Sequence, residues 1–134
     1  MPVQTNNASA LPPTPPTLPP LIEGTQWKLT DIGGKPAAKA VTTTLEFRQS
    51  RVGGKGGCNS YNGPVTVQIT TRGLHKIKFG NLVSTRMACP GAASTQETEY
   101  FQHLSKITQF KREGDELVLF TAENVANLRF LLLP

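Results

Sequence analysis

From Thr25 onward the chain is a succession of short segments in which apolar and polar residues alternate, each closed by a turn signal. In "TQWKLTDIGG" Trp27 and Leu29 alternate with Lys28 and Thr30, and Gly33-Gly34 ends the run. In "VTTTLEFRQS" Leu45 and Phe47 share one face and Glu46 and Arg48 the other, with a turn expected at Gln49-Ser50. "RVGGKGG" then pairs back antiparallel. "PVTVQITT" places Val65, Val67 and Ile69 together, Arg72-Gly73 turns the chain, and in "LHKIKFGNL" His75, Ile77 and Phe79 oppose Leu74, Lys76 and Lys78. A period of two residues means a strand with one buried face, and turns this frequent mean hairpins.

The period changes once. "STQETEYFQHLSKI" places Tyr100, Phe101, Leu104 and Ile107 on one helical face. Ser94 and Glu97 have the spacing of a capping box, and Glu97 and Glu99 suit the positive end of a helix dipole. Strands resume with "ITQFKR", "ELVLF" after Gly114-Asp115, and "ANLRFLLL". The expected fold class is α+β: a curled, barrel-like antiparallel sheet of about seven or eight strands, with one helix inserted before the last three. Trp27, Leu45, Phe47, Phe79, Phe101, Leu104, Leu117, Leu119 and Phe130 are expected to be buried together.

The 134 residues suffice for one domain. Met1 to Pro20 carries no charge and is dense in proline, with pairs at Pro12-Pro13, Pro15-Pro16 and Pro19-Pro20. Such a segment favours polyproline II and reads as a semi-rigid tether packing on nothing. The domain is then residues 21–134. The net charge of +5 is scattered, without a basic run or interleaved aromatics, which argues against nucleic acid as partner. No apolar run is long enough to span a membrane. Met1 is followed at once by Pro2 and polar residues, so no signal peptide is expected in this chain; the tether suits a chain from which one has been cut away.

Glycine crowds the stretch "RVGGKGGCNSYNG", but the phosphate-cradling patterns fail. Lys55 is followed by Gly56 rather than Ser or Thr, and Asn59 stands where a dinucleotide loop needs its third glycine. Cys58 and Cys89 belong to no C-x-x-C pair, and His75 and His103 stand alone, so neither a metal nor another cofactor is expected. A cysteine nucleophile would need a base, and nothing in the spacing supplies one. No catalytic residue is assigned. The glycines are expected to serve architecture, letting the segment "STRMAC" lie against their backbone, with Asn59 and Asn62-Gly63 supplying turns.

"GGCNSYNG" followed by "LVSTRMACP" resembles the signature pair of META domains, the family of the HslJ-like heat-shock and envelope proteins of bacteria. "GTQWKLT", "TLEF", "KIKFGNL", "ETEYFQHLSKITQFKREGDELVLF" and "NLRF" follow the same order, so the resemblance covers about Ile22 to Leu133. The family often has a second aromatic after "CNSYNG", where this chain has Val65 and Thr66. The resemblance implies a compact β-rich fold with one helix, and a location in the periplasm or outer envelope, compatible with a lipid anchor in the precursor. It also implies a role in stress or antibiotic tolerance rather than an established reaction. The leading reading is therefore a non-enzymatic envelope module, monomeric, acting by binding or assembly with an envelope protein, peptide or lipid. One alternative is a carrier of lipid or peptide in an apolar groove; another is a thiol-dependent enzyme or redox protein using Cys58 or Cys89. Asn59, Tyr61 and Arg86, which flank the cysteines, form the candidate binding surface. In an oxidising compartment Cys58 and Cys89 are expected to form a disulfide, since they are the only two cysteines and both lie beside turn formers. Two buried free thiols, or one exposed acidic thiol, are the competing states.

Overall fold

The structure, a computed structural model, describes residues 18–134. The tether expected over Met1 to Pro20 therefore lies almost wholly outside the described residues. Its last part differs from expectation: Leu18 is buried in the core. Residues Pro19 to Thr25 form a tight turn in which the Ile22 and Glu23 amides both donate to the Pro19 carbonyl.

The elements follow in the order β1 (Gln26–Ile32), β2 (Lys35–Pro36), β3 (Thr44–Arg48), β4 (Arg51–Lys55), β5 (Ser60–Gln68), β6 (His75–Phe79), β7 (Val83–Ser84), α1 (Ala92–Leu104), β8 (Ile107–Glu113), β9 (Glu116–Thr121) and β10 (Ala126–Leu132). Around the ring run β1, β3, β4, β5, β6, β8, β9 and β10, all antiparallel. The β1–β10 pairing, from Trp27 opposite Leu132 to Ile32 opposite Leu128, closes it. The expected curled sheet is thus a closed barrel of eight strands, with β2 and β7 as short additions. Closure of β1 on β10 removes the two outer sheet edges that would otherwise invite pairing. Among the described residues no helix is long and apolar enough to cross a membrane.

Alternation sets the faces as expected in β1 and β3, where Trp27, Leu29, Leu45 and Phe47 point inward. Gln49 and Ser50 both adopt positive φ and turn β3 into β4, opposing Arg48 to Arg51. Asn62 and Gly63 are not a turn; they lie within β5, opposite Gly53 and Val52. Of the expected core, Phe79 and Phe101 are only half-buried, packed against the cluster that holds the others.

Helix α1 lies across one end of the barrel. Tyr100 is fully buried, its ring edge-on to both Tyr61 and Phe130. The helix begins earlier than the capping-box spacing indicates: Gly91 is its N-cap, with no side-chain cap. Glu97 is therefore in the second turn, beyond reach of the helix terminus. Ile107, expected on the helical stripe, instead opens β8. Leu18 and Ile22 join the core at the opposite end, where the Gly24 amide donates to the Phe47 carbonyl and Arg112 donates to the Leu21 carbonyl.

Candidate functional site

Two features stand out around the glycine-rich segment: a bonded node and, beside it, a groove. The node centres on Glu97. One carboxylate oxygen accepts the backbone N–H groups of Cys58 (3.0 Å) and Asn59 (2.6 Å), and the other accepts the Asn59 side-chain amide (2.8 Å). The Asn59 carbonyl oxygen in turn accepts from the Met87 N–H and the Thr85 hydroxyl, while its amide also donates to the Met87 carbonyl. Helix, glycine segment and the 85–89 loop are thus fastened through one carboxylate and one amide. A disulfide joins Cys58 to Cys89 across the same junction, with Cα atoms 5.9 Å apart. Gly57 makes this approach possible. Its φ is +143°, and a Cβ there would stand 2.7 Å from the Ala93 carbonyl oxygen of α1.

Burial alone would raise the Glu97 carboxyl, but hydrogen bonds from the Asn59 side chain and from the Asn59 and Cys58 N–H groups outweigh it. They hold the carboxyl below its ordinary value. A depressed folded-state pKa stabilises the fold above the unfolded pKa, and that contribution is lost as pH falls through the folded value. Glu97→Gln is expected to cost about 1.5–3 kcal/mol at neutral pH. If the Gln oxygen takes the two backbone N–H groups, its NH₂ meets the Asn59 amide, which cannot turn without losing Met87 and Thr85. Urea unfolding at pH 7 and at pH 3 checks this: the gap between variant and parent narrows in acid, whereas a gap independent of pH would remove the charge from the explanation.

The groove opens beside the node. On its β5 side, β6 is paired along its length, from Lys76 opposite Gln68 to Phe79 opposite Val65. On its β8 side the ladder consists of His75 opposite Phe110 and Lys76 opposite Gln109, and then stops. Beyond Lys76 the two strands diverge. β6 follows β5, the Gly80 amide donates to the Pro64 carbonyl, and β7 rejoins β5 opposite Asn62 and Tyr61. The last turn of α1 and the start of β8 form the other wall. The resulting groove has a volume of about 1000 Å³ and is floored by Ile77, Phe79, Leu82, Phe101, Leu104 and Ile107. This explains why Phe79 and Phe101 are only half-buried: they face an opening rather than a packed neighbour.

The META-domain family profile matches residues 20–132. This chain belongs to the META-domain family. Two solved structures have the same fold. One, an NMR structure of a protein from Burkholderia xenovorans, is 25% identical, covers 99% of each chain and has a TM-score of 0.63. The other, also an NMR structure, is 21% identical, covers 83% of this chain and 91% of its own, and has a TM-score of 0.58. A search of curated proteins gives no match.

In this META domain the candidate surface residues do not form a surface. Asn59 is 5% exposed and bound into the node; Tyr61 is 2% exposed. The Tyr61 hydroxyl donates to the Thr44 carbonyl and accepts from the Tyr100 hydroxyl, 2.6 Å away. Burial pushes both phenols well above the usual range, so they are fixed hydrogen-bonding groups at neutral pH. Arg86 alone of the three is exposed. Tyr61 does reach the inner end of the groove. The segment carrying Cys89 lies beside the glycine stretch as expected, with Met87 against Asn59. The glycines themselves, however, make room mostly for α1 and β3. His75 and His103 sit apart: His75 accepts from the Thr70 amide, and His103 is on α1 beside Gly33. Among the described residues no three His, Cys, Asp or Glu side chains gather as a metal site would need. The family and the disulfide are consistent with a location outside the cytoplasm.

Sequence reasoning held an apolar groove only as an alternative, without its place or lining, and missed the role of Glu97. The groove's one legible trace is the pair Lys76 and Lys78 around Ile77, with Phe79 and Leu82 following.

Proposed function

We propose that this META domain is a non-enzymatic module of the periplasm or outer cell envelope, serving stress or antibiotic tolerance by binding a ligand in the groove between β6 and α1–β8. The observation that carries this reading is the groove itself. Concave sites of about 300–1000 Å³ with apolar walls and a few polar groups are the usual form of a binding site. The walls stand on a barrel closed elsewhere and fastened at the Glu97 node, so the opening is preformed. The Cys58–Cys89 disulfide weighs against the thiol-dependent alternative and supports an oxidising location.

An uncharged apolar fluorophore such as N-phenylnaphthylamine tests the reading. It is expected to brighten on binding, with amide shifts concentrated at Lys78 to Ser84, Phe101 and Ile107. Leu82→Arg is expected to weaken binding by about tenfold or more, since a guanidinium in the floor costs over about 1.4 kcal/mol. Its stability should change little, because Leu82 is only half-buried. Shifts centred on Arg86, or no binding, would sink the proposal.

A further inference from the structure

Resting on the reading that this groove binds a ligand, we propose that its occupant is an extended peptide segment. The peptide adds as a strand to the free edge of β6, with apolar residues facing inward and acidic residues facing outward. Three observations narrow the occupant to this chemistry.

The first is the interrupted ladder. Ile77 to Phe79 have strand partners on the β5 side, while on the β8 side the pairing ends at Lys76 opposite Gln109. The interruption leaves the backbone of Ile77 to Phe79 without a strand partner on the side that faces the groove. A strand entering there would continue the ladder that His75 and Lys76 begin, gaining main-chain hydrogen bonds. An acyl chain could cover the apolar floor, but it would leave that backbone edge unpaired.

The second is the pleat. Ile77 is buried, whereas Lys76 and Lys78 are exposed on the outer face. Neighbouring strands share the same alternation, so an added strand would send every second side chain toward Leu104, Phe101 and Ile107. The intervening side chains would stand beside Lys76 and Lys78, at the separation where cross-strand pairs interact.

The third is charge. The groove lining contains these two lysines and no carboxylate. Lysines on a strand edge discourage pairing with another copy of the same basic edge. They leave an acidic strand as the matching one, so the same residues exclude and select.

The test uses the full chain, isotopically labelled, and four probes. These are an N-acetylated hexapeptide alternating leucine and glutamate, the same peptide N-methylated at alternate residues, a leucine–lysine counterpart, and decanoate below its micelle concentration. The leucine–glutamate peptide is expected to shift the amides of Ile77 to Phe79 and of Thr108. Backbone methylation is expected to weaken it by about tenfold or more, as is the exposed pair of substitutions Lys76→Glu and Lys78→Glu. The doubly substituted protein is expected to prefer the leucine–lysine peptide. Equal binding of the methylated peptide would overturn strand addition. Equal binding of the leucine–lysine peptide to the parent would overturn the charge selection. Decanoate binding in the groove without peptide binding would overturn the peptide occupant and leave the groove reading standing. No shift in the groove with any probe would overturn both.

Discussion

Trp27→Ala is expected to lower the unfolding free energy by about 3–5 kcal/mol, the usual cost of truncating a buried aromatic. Trp27 is fully buried, and its indole N–H donates to the Thr25 hydroxyl at 2.7 Å. The Arg112 guanidinium lies 5.1 Å from the ring centroid and also donates to the Leu21 carbonyl. The ring therefore fills the interior and supports the arginine that fastens the chain entering the barrel. Loss of the cation–π contact adds about 0.5–1 kcal/mol to the cavity term. A domain of this size has about 5–15 kcal/mol in all, so the variant should be close to unfolding at elevated temperature. Because Trp27 is the only tryptophan, the transition is followed by far-ultraviolet circular dichroism in urea. A loss below about 1 kcal/mol would contradict the central place given to this ring.

Removing the disulfide is expected to have an effect nearly as large. The bond closes a loop between positions 31 residues apart. Releasing that constraint on the unfolded chain costs about 3–4 kcal/mol in the chain-entropy treatment. Cys58→Ala with Cys89→Ala should lower the urea midpoint accordingly. The double variant should still fold, because the Glu97–Asn59–Met87 bonds hold the same loop independently of sulfur. A thiol-reactive chromophore should find no thiol in the parent protein even in denaturant. Two thiols appearing only in denaturant would mean a reduced pair and would take away the disulfide's support for an envelope location. One thiol reacting in the native protein would bring back the redox alternative.

Where pairing is local, sequence and structure agree closely. β3 and β4 are joined by Gln49-Ser50 and β8 and β9 by Gly114-Asp115, and β3 shows its buried face in its own alternation. Such hairpins are set by neighbours a few residues away, so turn chemistry, helped in β3 by a period of two, suffices to place them. The helix was equally legible in its stripe, since Tyr100 and Leu104 are buried as their spacing requires. Its start was not. Ser94 and Glu97 have a capping spacing, yet the carboxylate of Glu97 is taken by Cys58 and Asn59, 39 and 38 residues earlier. A local rule cannot register a partner that distant. Asn62-Gly63 misled for a related reason: a turn former with a strand on each side is held extended by the ladders of β4 and β7.

By itself, then, the sequence determined the eight barrel strands, the single helix, most of the inward faces and, through "GGCNSYNG" and "LVSTRMACP", the family resemblance. All of these depend on residue type and short-range period. Only the tertiary structure decided that β10 closes on β1, that Glu97 joins three segments, and that β6 and β8 part beyond Lys76 to leave a groove. These depend on which distant segments meet. The groove in particular is the place where two strands separated by a helix stop pairing after two residues, and an interrupted ladder leaves little pattern in the residues on either side of it.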